Sequence, residues 1–351
     1  MLESKKNYSV ESLFSDKRNS LSITEDITSF FKNKSILVTG AGGSIGKAIV
    51  EQLIDCNPKE IVCIENSEYN LFKLESFIDN TDIKNINIIT KYFDIRDCHS
   101  IEWLLKNNPV DVIFHSAALK HVKIVENNRE EAVKTNVIAT YNLMKLANKY
   151  NVKEFLFVST DKVVESSSYM GKTKKMGEHF ARYFSKKNQT NYLTVRFGNV
   201  IGSSGSVIPI FLERIENQEP LIIRDFKAKR YFMSIKEAIF LVLKATVEGK
   251  NGESYILKMG EQIYIKDIAE KLLEFTNAKN KELIETKLLK GEKLEESLMT
   301  EKEVKIASEL EDFFVFTNDT IPKNIEEIID IIENNPQEIN ELTELINNMC
   351  E

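Results

Sequence analysis

An apolar run, Ser35-Ile36-Leu37-Val38-Thr39, leads without a break into Gly40-Ala41-Gly42-Gly43-Ser44-Ile45-Gly46. Ile49, Val50, Leu53 and Ile54 follow at helical spacing. A buried strand, a glycine turn and a helix in that order form the context of a dinucleotide-binding fingerprint. Each glycine has a separate reason to be there. Gly40 allows the tight turn, Gly43 lets a pyrophosphate approach the backbone, and Gly46 lets the helix pack close to the sheet. Ser44 and Ile45 open the helix, whose free N–H groups and positive dipole end face the phosphates, so they count with the glycines as cofactor residues.

The strands that follow extend this pattern. Ile61-Val62-Cys63-Ile64 ends at Glu65, nineteen residues after Gly46. An acid there accepts both hydroxyls of the adenosine ribose and repels a 2′-phosphate, which favours NAD over NADP. A third strand, about 86 to 93, ends in Asp94-Ile95-Arg96-Asp97, with Asp94 and Ile95 at the adenine end. Val112-Ile113-Phe114-His115 is a fourth, followed by the small residues Ser116, Ala117 and Ala118, which let pyrophosphate and ribose lie against the backbone. Lys120 and His121 either reach substrate or face solvent. A long helix, about 130 to 150, brings Asn136 beside the site, and Phe155–Val158 and Tyr192–Phe197 complete six strands. The expected fold is α/β: a Rossmann doubly wound parallel sheet with ligands at the strands' carboxyl ends.

Beyond residue 200 the periodicity weakens. Short strands near 221–224 and 254–258 alternate with helices near 209–217, 235–248 and 265–276, as in a smaller C-terminal α/β substrate lobe. The expected division is an N-terminal arm and helix (1–33, helix about 24–33), the NAD-binding domain (34–200, with later elements returning to it), the substrate lobe (201–317) and a helical tail (318–351). The tail's isoleucine stripe breaks at Asn335-Pro336 and reads as core or oligomer packing.

Composition narrows the function. Hydrophobic residues make up 42% of 351, enough for a sizeable core. A net charge of −7, spread along the chain, disfavours a nucleic-acid surface. Cys56, Cys63, Cys98 and Cys350 show no CxxC spacing and the four histidines no HExxH pattern, so no metal is expected. No apolar run approaches the ~18 residues of a membrane span, so the chain is expected to be cytoplasmic.

The chemistry concentrates after the fifth strand, in Ser159-Thr160-Asp161-Lys162 and Met170-Gly171-Lys172-Thr173-Lys174. TGAGGSIG, HSAALKHV, STDK, MGKTKK, RFGNVIGSSGSVIPIF, RYFM and GEKLEE occur in this order over about residues 35 to 300. Together they resemble the extended short-chain dehydrogenase/reductase family, and within it the UDP-N-acetylglucosamine 4,6-dehydratases of polysaccharide biosynthesis, of the bacillosamine-pathway type. The resemblance implies a reaction in which hydride leaves sugar carbon 4, a base takes the carbon-5 proton, an acid protonates the departing carbon-6 hydroxyl, and the hydride returns to carbon 6. It assigns Asp161 as acid and Lys162 as base, the latter with a pKa lowered by burial and by Lys174. Lys174 binds the nicotinamide ribose, and Thr160 meets the carbon-4 oxygen through a relay of water, Asp161 or a ribose hydroxyl. Met170 stands where most of the superfamily has a Tyr four residues before the Lys. Tyr169, one position off, should point away. Asn199, Arg230 and Glu292 fall where the family holds the sugar diphosphate and ribose. Two segments depart from its pattern: Leu289-Lys290 replaces Arg-Pro, and Val163–Ser168 replaces an Asn-Pro-containing loop. A homo-oligomer through helices 130–150 and 170–187 is also implied. The rival readings are a 4-epimerase or reductase, which normally need the Tyr, and a non-catalytic sugar-nucleotide sensor.

Overall fold

The computed structural model describes residues 23–187, 189–278, 281–317 and 320–348. Most of the expected arm and Cys350 lie outside the described residues. The expected first helix is Glu25–Phe31, anchored by the fully buried Ile27 and Phe31.

The six expected strands are β1 (Ser35–Thr39), β2 (Glu60–Glu65), β3 (Asn87–Tyr92), β4 (Val112–His115), β5 (Glu154–Thr160) and β6 (Asn191–Phe197). They are parallel, in the order β3-β2-β1-β4-β5-β6. The order reverses between β1 and β4, so the ligand crevice of such a sheet opens there, at the carboxyl ends. Register sets what reaches into it. His115 ends β4 opposite Phe157, so Val158, Ser159 and Thr160 of β5 project past the end of β4.

Three further strands extend the sheet beyond β6. Glu253–Leu257 pairs parallel with β6, Phe313–Thr317 returns antiparallel, and Ser308–Glu309 forms the edge. Glu253–Leu257 thus belongs to the main sheet rather than to the smaller lobe. Ser254 through Leu257 are all buried there, as a central strand requires.

Side chains alternate between two helix layers. Leu37, Val62 and Ile113 face the layer of Cys98–Asn107, Ala139–Lys149 and Tyr169–Ser185. Ile36, Val38 and Phe114 face the layer of Glu25–Phe31, Ser44–Ile54 and Ile235–Glu248. A third core joins Phe211, Leu221, Ile223, Ile268 and Leu272 inside the smaller lobe.

The helix expected over 130–150 is interrupted. Arg129–Ala132 runs into a π-helical turn, Val133–Ile138, before Ala139–Lys149 resumes. Asn136 sits in that turn, and such turns often mark functional sites. The tail forms two helices, Ile325–Asn334 and Ile339–Asn348, parted at Asn335-Pro336. Ile328, Leu342 and Ile346 join the core that holds Tyr141 and Phe180. Glu333 accepts hydrogen bonds from Tyr141 Oη (2.7 Å) and Lys145 Nζ (2.6 Å). The tail's apolar stripe is therefore intramolecular core.

Candidate active site

The glycine turn is shaped by close approaches. Gly40 has φ +63°, and a Cβ on it would lie 2.8 Å from Ala117 Cα. A Cβ on Gly46 would lie 2.2 Å from Gly40 O. Gly43 caps the helix that Ser44 and Ile45 begin. Ser44 Oγ accepts from Ser204 N at 2.9 Å, so the smaller lobe touches the glycine turn directly.

Glu65 is buried at the end of β2. Its Oε2 accepts from Gly42 N (3.0 Å), and its Oε1 from Asn66 N (3.1 Å) and Ser67 N (3.0 Å). The carboxylate thus shapes the glycine turn and keeps lone pairs for a further donor. Asp94 is bound on both oxygens by Arg96, whose hydrogen bonds hold it below the usual carboxylate range. Ile95 beside it is buried.

The stretch after β5 folds into a 3-10 turn, Asp161–Val163. Asp161 is fully buried. Its Oδ1 accepts from Thr160 Oγ1 (2.9 Å) and from Lys162 Nζ (2.9 Å). Its Oδ2 has no hydrogen-bond partner among the described residues. Such a buried acceptor asks for a donor from outside. Gly198 faces that oxygen, and a Cβ there would come within 2.9 Å of it. Lys162 departs from expectation. Burial works against its charge, but Asp161 and Glu296 outweigh burial, so its pKa is raised, not lowered. Arg230, not Lys174, is the cation that opposes them.

Met170 is buried, four residues before Lys174 on the helix Tyr169–Ser185. Tyr169 points away, as its place on the helix predicts: its Oη donates to Thr343 O at 3.1 Å. Lys172 is likewise engaged by Asn347, with Nζ 2.7 Å from the backbone oxygen. Lys174 lies 4.0 Å above the Phe157 ring, and burial pulls its pKa down to about 7 against the charge of Glu178. Asn136 braces this helix. Its Nδ2 donates to Thr173 Oγ1 (3.0 Å) and to Leu119 O (2.9 Å), tying the loop after β4 to the residue beside Lys174.

One turn past Lys174, Glu178 enters a buried ionic network. It accepts from Ser159 Oγ (2.6 Å) and from Arg196 Nη2 (2.8 Å), and Arg196 also reaches Glu303 at 3.0 Å. The network joins β5, β6, the Lys174 helix and helix Glu301–Ile306.

Lys120 and His121 lie against the loop that follows Asn199. Lys120 Nζ donates to Ser204 O (2.9 Å), and His121 sits 2.6 Å from where a Gly205 Cβ would be. Asn199 donates to Tyr231 O at 3.2 Å. Arg230 is more committed than expected. Nη1 donates to the backbone oxygens of Lys229 (2.7 Å) and Leu294 (3.0 Å), and Nη2 to Lys293 O (2.8 Å). Among the described residues these bonds use three of its five N–H donors. Glu292 Oε2 accepts from Leu289 N at 2.8 Å. The departing loop Val163–Ser168 meets the residues just after Leu289-Lys290 here. Ser167 Oγ donates to Gly291 O (3.0 Å), and Lys293 Nζ to Val164 O (2.8 Å).

Glu296 escapes sequence reasoning. It is buried, with Oε1 3.8 Å from both Lys162 Nζ and Arg230 Nε. It lies inside the GEKLEE motif, but no spacing links it to Lys162. Glu178 did carry a signal, since it falls four residues after Lys174 on one helix face.

A Rossmann sheet with this glycine turn and a second lobe, shared with relatives named as dehydratases and epimerases, places the chain in the nucleotide-sugar dehydratase and epimerase class of short-chain dehydrogenase/reductase enzymes. Residues 36–318 match the family described as "Polysaccharide biosynthesis protein". The chain belongs to that family.

Membrane protein MJ1061 of Methanocaldococcus jannaschii, of uncharacterised role, is 42% identical over 83% of this chain and 88% of its own length. The capsular polysaccharide biosynthesis protein CapD of Staphylococcus aureus is 36% identical over 78% of this chain, which spans only 46% of CapD. Other relatives divide by name: a UDP-glucose 4-epimerase of Rickettsia bellii (32% identical, over 81% of this chain and 83% of its own length) and an inverting UDP-N-acetylglucosamine 4,6-dehydratase of Campylobacter jejuni (29%, 82% and 84%). Among solved structures, Pen from Bacillus thuringiensis aligns with TM-score 0.78 and 35% identity over 82% of this chain and 90% of its own. The dTDP-glucose 4,6-dehydratase DesIV of Streptomyces venezuelae, with NAD bound, shares the fold (TM-score 0.67, 23% identity, 77% of this chain, 90% of its own). No helix among the described residues is long and apolar enough to cross a membrane.

Proposed function

We propose that the protein is a UDP-N-acetylglucosamine 4,6-dehydratase that retains NAD and yields a UDP-4-keto-6-deoxy sugar. The observation that carries this is Asp161: Oδ1 is taken by Thr160 and Lys162, while the buried Oδ2 has no donor among the described residues. A sugar hydroxyl is a fitting donor for it.

The Gly40–Gly46 cradle, which a Cβ at Gly40 or Gly46 would fill, fits the pyrophosphate of NAD, and Glu65 fits its adenosine ribose. Asp94, Ile95 and Ala117 line the rest of the cofactor, and Lys174 meets the nicotinamide ribose. When bound, NAD supplies a hydride acceptor at carbon 4 and a donor at carbon 6. The chain's own residues handle the protons. Thr160 Oγ1 passes the carbon-4 hydroxyl proton to Asp161 Oδ1 along their 2.9 Å hydrogen bond. Asp161 then gives that proton to the carbon-6 hydroxyl, which leaves as water. Lys162, as the neutral amine, takes the carbon-5 proton and later returns it, so only water is lost. Because Lys162 stands above its ordinary pKa, turnover rises with pH until it has lost its resting proton. Lys120, His121, Asn199, Arg230 and Glu292 surround the sugar nucleotide.

The test is NMR of the product formed from UDP-N-acetylglucosamine in deuterated water without added NADH. A 4-keto-6-deoxy sugar is expected. Asp161→Asn and Lys162→Ala should each slow turnover by roughly 10²–10⁴. Stoichiometric release of NADH would refute the reading. The name of the Rickettsia relative favours a 4-epimerase as the second reading. That reading requires a product isomeric with the substrate.

A further inference from the structure

Lys162 has two carboxylate neighbours. Asp161 Oδ1 is 2.9 Å from Nζ, and Glu296 Oε1 is 3.8 Å away on a side chain only 5% exposed. The same Glu296 oxygen is 3.8 Å from Arg230 Nε. Gln262 Oε1 fixes the Glu296 backbone, accepting from its N–H at 3.2 Å. Four charged groups among the described residues act most on Glu296. Asp161 and Lys162 come from the end of β5, Arg230 from the strand Lys229–Arg230, and Lys293 from Glu296's own loop.

We propose that Glu296 is a positioning residue for the dehydratase reaction, holding the Lys162 ammonium in place and setting the pH at which Lys162 becomes a base. This rests on the function proposed above. Nothing in that function requires the residue, because Glu296 belongs to a loop 134 positions away in the chain. Its effect follows from charge and distance. A carboxylate at 3.8 Å from a Lys162 side chain that is only 23% exposed favours the ammonium over the amine. Burial, with the Asp161 charge beside it, leaves Glu296 above the usual carboxylate range, while the cations Lys162, Arg230 and Lys293 pull it down in part. Glu296 also carries information. In the function proposed above Arg230 meets the sugar nucleotide, so the oxygen it shares with Lys162 would link occupancy of that pocket to the charge of the base.

The experiment uses the full-length protein with its bound cofactor and compares wild type, Glu296→Gln and Glu296→Asp. Two readouts are taken. The first is the Lys162 Nζ titration, followed by NMR on lysine-labelled protein and assigned with Lys162→Arg. The second is the pH profile of kcat with UDP-N-acetylglucosamine. Removing the charge lowers the Lys162 midpoint and moves the rising limb of kcat to lower pH, each by about one unit or more, a tenfold change in the ionisation. Glu296→Asp keeps the charge and stays near the wild-type limb, which a purely structural role does not require. An unchanged Lys162 midpoint in Glu296→Gln overturns the inference. Should wild type fail to turn over the sugar nucleotide, the functional reading falls, while the Lys162 titration still decides on Glu296. If Glu296→Gln does not fold, Gln262→Ala, which frees the loop backbone, is expected to lower the same midpoint, and no change there overturns the inference.

Discussion

Replacing Arg196 with Met keeps a long side chain at a buried position and deletes its charge. The guanidinium is only 2% exposed. It donates to Glu178 Oε1 (3.1 Å) and Oε2 (2.8 Å), to Glu303 Oε2 (3.0 Å) and Oε1 (3.1 Å), and to Leu298 O (3.0 Å). Without it two carboxylates stay buried. Glu178 keeps the Ser159 hydroxyl at 2.6 Å and Arg182 at 3.8 Å. Removing one partner of a buried pair costs about 3–5 kcal/mol. We take ~4 kcal/mol here, because Arg182 still offsets part of one charge. Unfolding entropy of ~2.1 cal/mol/K per residue gives roughly 0.7 kcal/mol/K for 351 residues, so the melting midpoint should fall by about 5–6 °C. Calorimetry at pH 7 measures it. The pH dependence carries the sign. Burial pushes the Glu178 carboxyl up, but Arg196 overrides it and holds the folded pKa low. In wild type this stability is present above the unfolded carboxyl pKa of ~4.3 and is lost as pH falls through the lower folded value. In Arg196→Met burial acts unopposed by that cation, the folded carboxyl binds its proton first, and the deficit narrows as pH drops from 7 towards 5. Adding Glu178→Gln should recover about half of the loss, since one stranded charge is gone. A variant that melts within about 1 °C of wild type at pH 7 would refute the reasoning, and so would a gap that widens on acidification.

Two further outcomes test the cofactor side. Gly46→Ala would set a Cβ 2.2 Å from Gly40 O and 2.8 Å from Ala41 Cα, both backbone atoms that cannot swing aside. It should cost roughly 1–3 kcal/mol, read by melting, and weaken NAD binding, read by titration with the cofactor. Lys174, drawn down to about 7 by burial, stays neutral above that pH in the folded, cofactor-free protein while the unfolded chain still binds the proton. Stability should therefore rise between pH 7 and about 10, by at most ~1.4 kcal/mol per unit, and Lys174→Met should abolish the rise in denaturant titrations.

Much of this was readable before any coordinates. β1 to β6 lie within about two residues of their expected bounds, because a parallel strand buried on both faces is a nearly continuous apolar run bounded by polar turns. The break at Asn335-Pro336 was equally plain. The far edge of the sheet was not. Glu253–Leu257 and Phe313–Thr317 find each other across some fifty residues of intervening chain, and a five-residue apolar run does not say which sheet it joins. The charge on Lys162 was hidden for a related reason. Its immediate neighbour Asp161 could be seen in the sequence, but the second carboxylate arrives from position 296. That Tyr169 turns away from Lys174 was legible from helical geometry alone, whereas Met170 stood out only against the family resemblance.

The tail helices also bear on how the protein is made. Synthesis runs from the N-terminus, so the glycine turn, the Asp161-Lys162 pair and the helices Ala139–Lys149 and Tyr169–Ser185 leave the ribosome well before Ile325–Asn348. Until those residues emerge, Tyr141 and Phe180 lack the Ile328, Leu342 and Ile346 side chains that share their core. At 5–20 residues per second the delay is roughly 7–30 s, long compared with the microseconds in which a helix forms. For that interval the nascent chain presents an uncovered aromatic flank near the Asp161-Lys162 pair.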